Sequence, residues 1–88
     1  MTTNSIVAAG NTYNPCVMLL HEGGYRVWAV EGSENVIWNA EKNGVSYLAY
    51  SPPELLGIVT LWEKFGENWN RQSPNLIGEI LGEMEDSP

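Results

Sequence analysis

The dipeptide Asn43-Gly44, set between two stretches rich in β-branched and aromatic residues, constrains this chain more than any other feature. Two-residue hairpin loops favour the type I′ turn, which needs positive φ at both central positions, and Asn followed by Gly meets that need. The turn predicts strands at Val36–Lys42 and Val45–Tyr50, with Lys42 opposite Val45, Ala40 opposite Tyr47 and Trp38 opposite Ala49. Side chains alternate across a strand. One face therefore carries Val36, Trp38, Ala40, Val45, Tyr47 and Ala49 and should meet the core. The other carries Ile37, Asn39, Glu41, Ser46, Leu48 and Tyr50; it is mixed, and is either covered by the first helix or left for a partner.

A lone hairpin is marginal in water, so the flanking sequence has to complete the fold. Tyr25–Val30 reads as a third strand, closed by the turn Glu31-Gly32-Ser33. Ahead of it, Asn14-Pro15 suggests a helix start, with Asn as N-cap and Pro at the first helical position, and Gly23-Gly24 a stop. A short helix over Cys16–Glu22 fits best, although so short an apolar run could also form a buried strand.

After the hairpin, Ser51-Pro52-Pro53-Glu54 predicts a helix with Ser51 as N-cap, Pro52 at the first position and Glu54 closing a capping box. Leu55, Ile58, Val59 and Trp62 form its core-facing stripe, widened by Leu56 and Leu61, and Gly66 ends it. Ser73-Pro74 caps a last helix, with Leu76, Ile77, Ile80, Leu81 and Met84 on one face and Glu79, Glu83 and Glu85 mostly on the other. The expected architecture is α+β: a three-stranded antiparallel meander with two or three helices packed on one face, in the order α-β-β-β-α-α. With 88 residues there is room for one core, so residues 12–88 form a single domain behind a polar, flexible start at residues 1–11. Periodic placement assigns Trp28, Trp38 and Trp62 to core packing.

Charge then narrows the function. Four basic residues against eleven acidic ones give a net charge of −7, a field that repels nucleic acid and anionic lipid and attracts basic proteins. Cys16 is the sole cysteine, so no intrachain disulfide forms; with no signal-peptide pattern at the start, the cytoplasm is the expected location. The longest apolar run, Cys16–Leu20, is too short to span a bilayer.

Catalytic constellations each lack a member. Cys16 and His21 are the only Cys and His, and neither helix nor strand geometry aligns them well as nucleophile and base. Cys16 reads as an ordinary buried thiol, and His21 as a cation at a helix C-terminus. One Cys and one His do not make a zinc site, and no Asp-rich loop suggests calcium. The expectation is a non-enzyme with no catalytic residue, metal or cofactor.

Aromatics and carboxylates remain. Trp69 lies in the polar linker Glu67–Gln72, where no periodicity demands it, so it either covers the core edge or anchors a partner. The candidate partner-binding residues are Glu63, Glu67 and Trp69 around the linker, with Glu79 and Glu83 from the last helix.

The stretch from Asn35 into the helix that carries Trp62, with its aromatic hairpin, AEKNG turn and SPPELLGIV helix start, resembles small bacterial immunity proteins encoded beside polymorphic, contact-delivered toxins. The resemblance covers about a third of the chain and rests on structural motifs. It implies a cytosolic inhibitor that masks the active site of a toxin, with acidic residues against a basic cleft; the expected partner is a basic toxin domain, and the free chain is expected to be a monomer or weak dimer. Alternatives are a phage-type inhibitor or DNA mimic, and a small structural or regulatory subunit that oligomerises through its hairpin.

Overall fold

The computed structural model describes residues 5–7, 9–70 and 76–86. Helix α1 (Tyr13–Glu22) leads into strands β1 (Arg26–Glu31), β2 (Val36–Lys42) and β3 (Val45–Ala49); helices α2 (Pro52–Phe65) and α3 (Leu76–Asp86) follow. Short 3-10 helices precede α1 (Gly10–Thr12) and follow α2 (Gly66–Asn68). The sheet is an antiparallel meander in the order β1-β2-β3, and the domain is α+β as expected.

The hairpin adopts the expected register, with Lys42 opposite Val45, Ala40 opposite Tyr47 and Trp38 opposite Ala49. Asn43 and Gly44 take φ of 53° and 82°, the positive pair that a type I′ turn demands. Strand β1 joins β2 through Gly32–Asn35, with Gly32 N–H donating to the Asn35 carbonyl at 2.8 Å.

Helix α1 begins earlier than expected. Thr12, and not Asn14, occupies the N-cap position, and no side chain caps the helix. The preceding 3-10 turn already curls the chain, with Thr12 Oγ1 donating to the Ala9 carbonyl at 2.9 Å. Pro15 is then the third helical residue, still in the first turn, where a missing N–H breaks no helical bond. At the other end Gly24, at φ 89°, makes a Schellman stop: Tyr25 N–H donates to Leu20 O and Gly24 N–H to His21 O, both at 3.0 Å. This turn delivers Leu20 and Tyr25 together into the core.

Helix α2 starts as its sequence dictates. Ser51 is the N-cap, with Glu54 N–H donating to its Oγ at 3.4 Å. The Glu54 carboxylate in turn accepts from the Ser51 hydroxyl at 3.1 Å, a variant of the capping box. The core comprises Leu20, Tyr25, Ala40, Tyr47, Leu55 and Val59, with Val27, Trp38, Val45, Ala49, Leu56, Ile58 and Trp62 packed around it. Full burial of a Leu or Val side chain contributes about 1.5–3 kcal/mol, so Leu20, Leu55 and Val59, with the larger Tyr25 and Tyr47, supply much of the stabilisation. Ala40, 0% exposed on the central strand, leaves the space into which the two helices settle.

Two expectations need correction. Trp28 is not a core residue: it pairs with Asn39 on the sheet's other face, half-buried beneath the Arg26 guanidinium, which sits 4.6 Å from the ring centroid. Leu61 is exposed, because it points along the flank of α2 away from the core stripe. Of the two or three helices expected on the sheet, two cover it; on α3, Leu76, Ile77, Ile80 and Leu81 are all exposed. Residues 1–4 and 8 of the expected flexible start, Arg71 and Gln72 of the linker, the Ser73-Pro74 cap, and the side chains of Met84 and Glu85 lie outside the described residues.

Candidate protein-binding surface

With α1 and α2 on one face, the other face of the sheet stays open. Its polarity is graded along the strands. Arg26 faces Glu41 at one end, Trp28 faces Asn39 in the middle, and Val30 faces Ile37 at the far end. Leu48 lies beside Asn39, and Leu48, Ile37 and Tyr50 line one apolar hollow. Leu48 is 58% exposed and Tyr50 67% exposed, high values for side chains of this size.

This apolar end continues over the β3 edge into a groove against α2. Its walls are Leu48, Ala49 and Tyr50 on one side, Gly57, Ile58 and Leu61 on the other, and Trp69 closes it, enclosing about 440 Å³. The α2 residues at 54, 57, 58 and 61 share one helical flank, and Ile58 joins that flank to the core. Gly57 contributes depth: an added Cβ would meet nothing within 4 Å.

Trp69 reaches the groove through a local chain reversal. Gly66 takes φ 57°, its N–H donates to the Trp62 carbonyl, and the short 3-10 helix ends with Trp69 N–H donating to Gly66 O at 3.0 Å. Trp69 thus returns half-buried alongside Leu61. It covers the edge of α2 and presents an aromatic wall to the groove. Carboxylates flank the apolar surface: Glu54 lines the groove, and Glu34 lines the adjoining hollow with Ile37 and Tyr50.

The five candidate contact residues do not converge on one patch. Trp69 belongs to the groove, and Glu67 lies exposed in the 3-10 helix before it. Glu63 sits on another flank of α2, where its carboxylate accepts a 3.0 Å hydrogen bond from the Tyr25 hydroxyl. Glu79 and Glu83 are exposed on α3. The sequence signal for the groove was the mixed face of the hairpin, which contained Leu48 and Tyr50. Glu54 and Leu61 gave no such signal, because a cap and a presumed core leucine each already had a structural explanation, and Glu34 follows the expected turn without a pattern of its own.

A second, polar hollow lies where Tyr25, Lys42, Asn43, Tyr47, Trp62 and Glu63 meet. Tyr25 and Tyr47 pack edge to face at 5.8 Å. Lys42 Nζ lies 5.0 Å from the Tyr25 ring centroid and donates to the Gly23 carbonyl at 2.6 Å, tying β2 to the end of α1. Burial, and then the neighbouring Glu63 carboxylate, push the Tyr25 phenol well above its ordinary range. Every charged group here has a partner within the fold, which marks the hollow as a structural clasp. Among the described residues no group of three His, Cys, Asp or Glu could hold a metal ion, and no helix is long and apolar enough to cross a membrane.

No protein family, curated protein or solved structure matches this chain.

Proposed function

We propose that this chain is a non-catalytic binding protein of the immunity type, which takes a basic toxin domain onto its open groove and occludes that domain's active site. The observation that carries this reading is the exposed apolar surface of Leu48, Tyr50, Leu61 and Trp69, flanked by Glu34 and Glu54, on a chain of net charge −7. Apolar and aromatic side chains at the centre of an interface supply affinity, and charge at its rim supplies encounter rate and partner choice. An acidic rim selects a basic partner, in keeping with the cytoplasmic inhibitor that the hairpin resemblance implies.

The test is protection. Cells producing the cognate toxin are given either the natural chain or a Leu48→Glu/Trp69→Ala variant, and survival and co-purification are both measured. The natural chain is expected to protect and to co-purify in a one-to-one complex, and the variant to do neither while keeping its helical circular dichroism. Protection by the variant equal to that of the natural chain would rule out the groove.

A further inference from the structure

Among the described residues, two of the apolar surfaces that face solvent are the groove between β3 and α2, and the stripe on α3 formed by Leu76, Ile77, Ile80 and Leu81, from 53% (Leu81) to 74% exposed (Ile77). We infer that they meet between two copies of the chain, with α3 of each copy seated in the groove of the other.

The stripe has the form the groove accepts. Positions 76, 77, 80 and 81 fall on one side of the helix, while Glu79 and Glu83 lie along its flank and beyond, leaving the aliphatic side free to enter. Gly57 keeps the α2 wall low, and Leu48, Ile58, Leu61 and Trp69 offer aliphatic and aromatic contacts.

The arrangement of the chain also favours exchange. Its radius of gyration is 16.3 Å and its longest extent 47 Å, against about 12 Å for the radius of a compact chain of this length. The stripe on α3 is already exposed in the single chain, so nothing has to uncover it before it meets a second copy. Each copy brings one helix and one groove, so a two-fold exchange closes with neither left over. Two such contacts, each an 11-residue helix laid along a groove, together bury on the order of 1,500 Å², the size of a standard stable interface.

Charge sets the conditions. Each copy carries −7, so self-association works against repulsion that salt screens. The dimer should tighten as salt is raised, whereas binding of a basic partner should weaken. The inference needs no foreign partner, but it uses the groove of the proposed function, so a basic partner and a second copy compete for it; failure of either reading leaves the other standing.

Sedimentation velocity on the full chain, from about 10 to 500 µM and at low and high salt, is the direct test, with X-ray scattering for the radius. A monomer–dimer equilibrium that strengthens with salt is expected. Ile77→Glu/Ile80→Glu on the helix, and separately Leu61→Glu in the groove, should each weaken it at least tenfold. All three positions are exposed in the single chain, and circular dichroism checks that each variant stays folded. Mixing the two variants should restore association in part, because one intact helix then meets one intact groove. A wild-type chain that stays monomeric throughout would overturn the inference, whether its radius is near 12 Å, with the helix on its own groove, or near 16 Å. So would a dimer indifferent to Leu61→Glu.

Discussion

The Tyr25 hydroxyl donates a 3.0 Å hydrogen bond to Glu63 Oε2, joining the chain reversal after α1 to the last turn of α2 across 38 positions of sequence. Tyr25 is a core residue, so this bond fastens the buried cluster to a carboxylate at its rim. The phenol is held neutral by burial first and by Glu63 second, so its titration is raised in the folded chain.

A pH dependence follows. A raised value in the folded state contributes stability that is fully present below the unfolded value, about pH 10, and is lost as pH climbs toward the folded one. The melting temperature should therefore fall as pH rises above about 10, because the unfolded phenol ionises while the folded one keeps its proton. Ultraviolet titration should show Tyr25 ionising late. Tyr25→Phe should remove the late step and cost about 1 kcal/mol at neutral pH, the usual worth of one hydrogen bond.

Leu55 is 0% exposed at the centre of the α2 stripe. Truncation to alanine removes buried methyl groups and leaves a cavity, a loss of about 2–5 kcal/mol. In so small a domain that is a large share of the total stability. Urea denaturation of Leu55→Ala should show either a sharply lowered midpoint or no folded baseline.

The hairpin turn gives a cleaner backbone test. A Cβ at Gly44 would meet nothing within 4 Å, but the residue sits at φ 82°. Gly44→Ala should therefore destabilise by about 1 kcal/mol through backbone strain alone, since an L-residue pays a steric penalty in the left-handed region. The same substitution at Gly57, also open but at ordinary helical φ, should be neutral or slightly stabilising in the isolated chain. Thermal unfolding of the pair separates strain from space.

Charge at the groove and on α3 can be separated kinetically. Glu34→Lys/Glu54→Lys should slow association with a basic partner and flatten its salt dependence. Glu79→Lys/Glu83→Lys should do so to a similar degree only if α3 faces the partner. Stopped-flow association at two salt concentrations distinguishes them, and equal rates for the natural chain and Glu34→Lys/Glu54→Lys would count against an acidic rim at the groove.

Much of the fold was legible because short-range chemistry dictated it. Asn43-Gly44 set the register of the hairpin, and Ser51-Pro52 set the first turn of α2, since each element needs a particular backbone geometry that few residues supply. Trp28 was misassigned because a strand with apolar residues on both sides, Val27 and Trp28 alike, does not declare its inner face. Its pairing with Asn39 decides the matter. The exposure of α3 was illegible for a related reason: amphipathic spacing says that a helix has an apolar side but not which surface covers it. The groove depends on the reversal at Gly66 that brings Trp69 back beside Leu61, a long-range outcome of one positive φ.

Every core residue falls between Leu20 and Val59, while Trp69 and α3 lie beyond that span. Substitutions beyond that span should therefore cost the fold less than substitutions within it. Under the proposed function, Trp69 can then change its contacts with a partner while the scaffold stays still.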